Sequence, residues 1–233
     1  MKRAFILSLL LPLANYAEDT PVTPDSVAKI SELNAAIAKS PDGVALYSQR
    51  GDAHLFARHF AEAVADFEKM IALDPAQDAP HWRLGIAYYF AGQFEKSSKQ
   101  FVKYHDYDGG DRENGIWKFL ADAKALGIEP ARRAMLVYTR FDREPFPALY
   151  EMFAGTKTTD DVLAEIAAKK LTDNASVMFF ANYYGGLNEE LLGHRAKAIE
   201  LLHAVVGNAR ARERAGYMWQ VARVHGEVIE SAK

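Results

Sequence analysis

Between residues 44 and 109 the small and apolar positions of the chain repeat at an interval of 34. Gly51 recurs as Gly85, His54 as Tyr88, Phe60 as Phe94 and Phe67 as Phe101, while Ala63 recurs as Ser97. Within each copy the apolar residues fall three and four apart, the spacing of one helical face. The pattern predicts helices over 44–57 and 60–73, closed by Asp74–Pro75 because proline cannot continue a helix. A second pair is predicted over 78–91 and 94–105. Glycine in the first helix and a small residue in the second let the two come close, and Phe67, Tyr88 and Phe101 fill the space between helices.

The same reading extends along the chain. Val27, Ile30, Leu33 and Ile37 share one face of an N-terminal helix, with Thr23 as its cap and Pro24 in its first turn. This helix is expected to cover the open end of the first repeat, since a terminal unit of a stacked array leaves one face unburied. Beyond Tyr104 the period blurs. Helices over 114–126 and 130–140 make a degenerate third pair, in which Trp117 follows Trp82 by 35 instead of 34. Pro145 and Pro147 break the chain, and a pair over 147–170 carries no repeat pattern, its second helix capped by Thr158 or Thr159. The period returns over 179–206. Gly186 and Ala198 stand twelve apart, as Gly51 and Ala63 do, with Leu202 in the aromatic position and Gly193 at the turn. A last helix over 211–231, with Met218, Val221 and His225 on one face, is expected to cap the C-terminal end.

A 34-residue period with glycine, small and aromatic residues at these offsets is similar to the tetratricopeptide repeat (TPR), a helix–turn–helix unit. The expected fold is therefore all-α, a TPR-like α-solenoid with N- and C-terminal capping helices, in a single domain over 18–233. No strand-like alternation of useful length argues against it. In that repeat the first helix of each pair lines the inner face. With Val44 and Asp78 as position 1, lining positions 5, 9, 12 and 13 are Ser48, Asp52, Leu55 and Phe56, then Trp82, Ile86, Tyr89 and Phe90. Six of the eight are apolar. TPRs that clamp a terminal carboxylate carry lysine and asparagine at such positions, so that partner class is disfavoured. The row Phe56, Trp82, Ile86, Tyr89 and Phe90 is the candidate partner-binding groove, suited to a helix or an extended peptide with apolar anchors. An equally open alternative is that later helices of the same chain, or a second copy of it, cover this face.

Composition narrows the rest. The formal net charge is −3, which gives no nucleic-acid footprint. The chain has no cysteine, so disulfides, thiolate metal sites, a cysteine nucleophile and a lipidated cysteine are all excluded. Met1–Lys2–Arg3 and the apolar run 4–14 read as a signal peptide, too short to span a bilayer as a helix. Cleavage is expected after Ala17, which places the mature protein in the periplasm or outside the cell; the alternative is an uncleaved amphipathic anchor. None of the seven histidines falls in a metal-ligating spacing. His54 stands at a packing position of the repeat, and His54 and His59 straddle a helix–helix turn. The loop Asp106–Asp111 lacks the calcium-loop spacing and reads as a solvated acidic loop, and Arg210, Arg212 and Arg214 as a solvated basic face. No glycine loop for phosphate and no serine elbow are present. No catalytic residue, metal site or cofactor is therefore expected, an enzyme built between helix pairs being the remaining alternative.

Three stretches, RLGIAYYFAGQFEKS at 83–97, WKFLADAKALGIEPARRAML at 117–136 and FFANYYGGLNEELLGHRAKAIELL at 179–202, make the layout resemble the NlpI-type outer-membrane TPR lipoproteins. The resemblance implies a non-enzymatic adaptor, usually dimeric, that brings an envelope protease and peptidoglycan hydrolases together. Those proteins carry a lipidated cysteine; this sequence has none, so no lipid anchor is expected. The expected function is an exported adaptor for protein or peptide partners, with a homo-oligomerisation module whose aromatic face is buried in self-association as the alternative.

Overall fold

The structure is a computed structural model that describes residues 24–207 and 209–232. The signal peptide at 1–17, its cleavage position and the Thr23 cap lie outside those residues. Among the described residues there are thirteen α-helices and no strand. They are α1 (Pro24–Lys39), α2 (Val44–Phe56), α3 (Phe60–Leu73), α4 (Trp82–Phe90), α5 (Phe94–Tyr107), α6 (Arg112–Leu126), α7 (Ile128–Arg133), α8 (Phe146–Phe153), α9 (Thr159–Ala168), α10 (Ala175–Leu191), α11 (Arg195–Val206), α12 (Ala209–Ala215) and α13 (Tyr217–Ser231). Successive helices pack on one another as antiparallel pairs, an all-α helical-repeat solenoid. None of these helices is long and apolar enough to cross a membrane.

The glycine, small residue and ring noted in the sequence meet in space. A Cβ on Gly51 would lie 2.6 Å from the Phe67 ring, and one on Gly85 would lie 2.7 Å from the Phe101 ring. Both rings are fully buried. Ser97, in the small position of the second pair, donates its hydroxyl to the Gly85 carbonyl at 2.8 Å. In the α10–α11 pair, a Cβ on Gly186 would sit 3.1 Å from Leu202 and 3.2 Å from the Ala198 carbonyl oxygen. Three pairs thus use one joint, with the aliphatic Leu202 replacing the aromatic plug in the last.

The turns recur as well. Arg58, Gly92 and Gly193 have φ of 65°, 71° and 83°. The next residue then donates its N–H five positions back: His59 to His54 (2.9 Å), Gln93 to Tyr88 (2.8 Å) and His194 to Glu189 (2.8 Å). This is the left-handed turn that satisfies a helix's last carbonyls. The helices α8 and α9, which show no repeat pattern in sequence, end in the same way at Gly155 and Lys170, with Thr156 bonded to Glu151 and Leu171 to Ile166. Arg58 occupies the position that Gly92 fills one period later, in a conformation that costs an L-residue about 1–2 kcal/mol.

Three element boundaries differ from the sequence reading. The helix expected over 78–91 begins only at Trp82, after a 3-10 turn at Pro75–Gln77, and the His81 imidazole caps it by accepting the Leu84 N–H. The helix expected over 130–140 ends at Arg133. The Lys118 ammonium and the Tyr150 hydroxyl take the Ala134 and Leu136 carbonyls, acceptors that a continuing helix would need. The chain from 135 to 145 then crosses to α8, and Tyr138 packs over Gly115, where a Cβ would lie 2.6 Å from its hydroxyl. The pair expected over 147–170 is present as α8 and α9, and a Thr158–Asp161 capping box opens α9. The C-terminal helix expected over 211–231 is broken at Gly216, whose φ is 46°, into α12 and α13.

Two substitutions test the joint and the turn. Gly85→Ala forces the Phe101 ring out of its seat and is expected to destabilise by about 1–3 kcal/mol. Arg58→Gly relieves the left-handed backbone and is expected to stabilise by about 1 kcal/mol. Thermal or urea unfolding of each against wild type reads both signs.

Candidate interaction groove

The first helices of the two clear repeats, α2 and α4, place the predicted row side by side. Ile86, Tyr89 and Phe90 are buried, and Phe56 and Trp82 are half-buried. The cover comes from α13. The Tyr217 ring sits edge-on to both Phe56 (4.9 Å) and Trp82 (5.0 Å), bridging the two repeats. Two turns later His225 lies against Phe90 (5.1 Å) and Tyr89 (5.7 Å), with Trp117 and Tyr183 behind it. The Phe60 ring stacks on Phe90 from the other side. Burial holds His225 down to about 3, so it packs as a neutral ring. Of the two readings left open by the sequence, coverage by the chain's own later helix is the arrangement present. The aromatic row acts as the seat of α13, with Phe56, Trp82, Tyr89 and Phe90 each also edging a cavity beside that helix.

The two polar lining residues of the first repeat have a local explanation. Arg83 reaches back from α4 and donates to Asp52 (2.5 Å) and to the Ser48 hydroxyl (2.9 Å), tying the repeats together across their inner face. Its guanidinium also lies over the Phe67 and Tyr217 rings. The Tyr217 hydroxyl is buried facing Asp52. Burial raises the Asp52 pKa, and Arg83 opposes that shift.

Among the described residues, cavities lie on either side of α13. A cavity of about 490 Å3 sits between α1, α2 and the start of α13, lined by Lys29, Gln49, Phe56, Arg212, Trp219 and Arg223 among others. A smaller one, about 180 Å3, is bounded by Trp82, Trp117, Met218 and the N-terminus of α6. There Asp111 caps α6 by accepting the Glu113 N–H at 3.0 Å, and so is part of the fold instead of the solvated loop that the sequence suggests. Glu113 is buried and accepts from the Tyr184 hydroxyl (2.6 Å) and from Arg143 (2.5 Å). Arg143 also contacts Asp111 and Asp142 while its guanidinium lies over the Phe146 and Phe180 rings. This cluster clasps α6, the 135–145 connection, α8 and α10. Burial pushes Glu113 up to about 7 even with Arg143 beside it. Sequence reading missed the clasp because Glu113 and Tyr184 are 71 positions apart; the one available signal was a glutamate within an otherwise inward-facing stretch of α6.

His54, His59 and Asp66 have structural partners. His54 and His59 approach at 3.3 Å between ring nitrogens, and His54 stands 4.0 Å from Asp66. Asp66 is itself buried and held by both arms of Arg50 at 2.6 and 2.8 Å. Burial lowers the His54 pKa. Among the described residues no group of three histidines or carboxylates is arranged to hold a metal ion.

The Glu113 clasp sets a pH dependence. A carboxyl protonated to about pH 7 when folded, and only to about 4.5 when unfolded, contributes most below pH 4.5 and loses its contribution as pH rises to 7. His81 and His225, held at about 4 and 3, act in the opposite sense, since stability falls as pH drops below 6.5. The wild-type profile is the sum. The difference between wild type and Glu113→Gln isolates the carboxyl and is expected to change by up to about 3 kcal/mol between pH 4.5 and 7. A difference that is flat with pH would show that Glu113 titrates normally. No protein-family model matches the chain, so the functional reading is built on the groove itself.

Proposed function

We propose that the protein is an exported adaptor of the TPR type, which holds protein or peptide partners in the periplasm or cell envelope by equilibrium binding. The observation that carries this reading is the cavity at the first-repeat end of the inner face. It combines an apolar wall, an indole and several cations on rigid helices, where α13 leaves the solenoid open. Helical repeats present such inner faces for recognition because their curvature is fixed by packing between neighbours. The resemblance noted in the sequence makes an envelope protease or peptidoglycan hydrolases the partners to look for first.

The test is affinity capture. A chain starting at Glu18, immobilised as bait, is expected to retain specific proteins from a native envelope extract. Phe56→Ala, at the cavity wall, is expected to weaken that retention while helix content stays at the wild-type level. Retention no better than an empty matrix overturns the adaptor reading.

Self-association is the second reading, and a different face favours it. Val137 and Phe141, in the connection between α7 and α8, are 80% and 79% exposed. In this reading the connection is the surface that a second copy would bury. Light scattering across a concentration series is expected to show a mass above that of one chain, returned to one chain by Phe141→Arg. A single-chain mass at every concentration removes this reading.

A further inference from the structure

The groups lining the larger cavity differ in how fully their charges are matched. Asp52, its acid, is engaged by Arg83 and faces the Tyr217 hydroxyl. Arg223 is fixed by donating to Glu227 (2.6 Å), to Gln220 (2.9 Å) and to the Phe56 carbonyl (2.8 Å). Lys29 pairs with Glu32 at 2.9 Å, but both are exposed, so the pair is weak. Arg212 makes no ion pair among the described residues. It lies 5.0 Å over the Trp219 ring, and it is the one arginine of the 210–214 cluster placed against an aromatic face. The Trp219 indole N–H is buried and has no acceptor. Arg223 and Lys29 thus have carboxylate partners and Asp52 has Arg83 on one oxygen, which leaves Arg212 as the lining cation without an ion pair among the described residues. Phe56 and Ala53 supply the apolar part of its wall.

Resting on the adaptor reading, we infer that this cavity receives an extended partner segment in which acidic side chains alternate with apolar ones. A carboxylate meets the Arg212 guanidinium in its plane while the face of that group stays on Trp219, a combination that arginine allows and lysine does not. Arg223, already held in place, and Lys29 set the surrounding field. The apolar side chains of the segment lie on Phe56. The volume, about 490 Å3, is of the size that small binding sites occupy. No charge is moved and no bond is made; the site works by matching an anionic segment to a preformed cationic wall.

The probe is a fluorescein-labelled, C-terminally amidated peptide with two glutamates alternating with two phenylalanines. It is read by anisotropy at low and physiological salt with the full mature chain. The expected result is saturable binding, at least about tenfold tighter than for the same peptide with glutamine in place of glutamate, and weakened by salt. Arg212→Glu is expected to lose about tenfold in affinity and Lys29→Glu somewhat less. Lys99→Glu, an exposed position on α5 outside the cavity, is expected to leave binding unchanged. Arg212 is exposed, so its replacement tests recognition without disturbing the core; a circular dichroism spectrum like that of wild type confirms this. Equal binding of the glutamate and glutamine peptides, indifference to Arg212→Glu, or binding only by peptides with a free terminal carboxylate each overturns the inference. A native partner captured equally by wild type and Arg212→Glu baits leaves the adaptor reading standing while removing this one. A bait that captures nothing removes the adaptor reading itself.

Discussion

The structure depends on how closely two helices can approach when one of them has no side chain at the crossing. At Gly51 and Gly85 the partner ring lies within 3 Å of where a Cβ would be, so the distance between helices is set by a ring resting on bare backbone. Interiors pack as tightly as organic crystals, and a joint of this kind has little slack in either direction. Added volume clashes, and a smaller plug leaves a void. The third use of the joint, with Leu202 against Gly186, shows that the constraint is one of shape. An aliphatic group satisfies it where the neighbouring backbone, here the Ala198 carbonyl, closes in to 3.2 Å.

Much of this was legible in the sequence because the joint is local. Gly51, Ala63 and Phe67 lie within one pair, and a 34-residue echo of them marks the next. The turn position was legible in the same way, although Arg58 hides it under a residue that does not announce a left-handed conformation. Legibility failed where a helix ended for tertiary reasons. Nothing near Arg133 stops α7; the carbonyls that would continue it are claimed by Lys118 on α6 and Tyr150 on α8. Likewise Gly216 was read as one more residue of a long amphipathic helix, yet it lets the chain turn so that Tyr217 reaches the groove.

The row on the inner face was legible as an apolar stripe, while its occupant stayed open between a partner, a second copy and a later helix of the chain. An amphipathic stripe says that a face will be covered, and it does not say by what. The stripe on 217–229 and the row from Phe56 to Phe90 were each visible, but their mutual fit depends on the curvature accumulated over all the intervening pairs. The same distance hid the Glu113 clasp. Its members come from α6, the 135–145 connection and α10, so no window of sequence contains the constellation. Arg212, by contrast, was visible as one of three arginines, and only its seat on Trp219 separates it from the other two.

The meeting of α13 with α2 also bears on how the molecule comes apart. Open repeat arrays are governed by nearest neighbours, so their ends fray independently of their middle. Here Arg223 donates to the backbone of Phe56 across 167 positions, and Tyr217 wedges between the first two repeats. The terminal pairs hold each other, which converts a linear array into a closed circuit. Such a ring of contacts loses its ends only by losing its centre, at the cost of a slower search, since the closing contacts span nearly the whole chain.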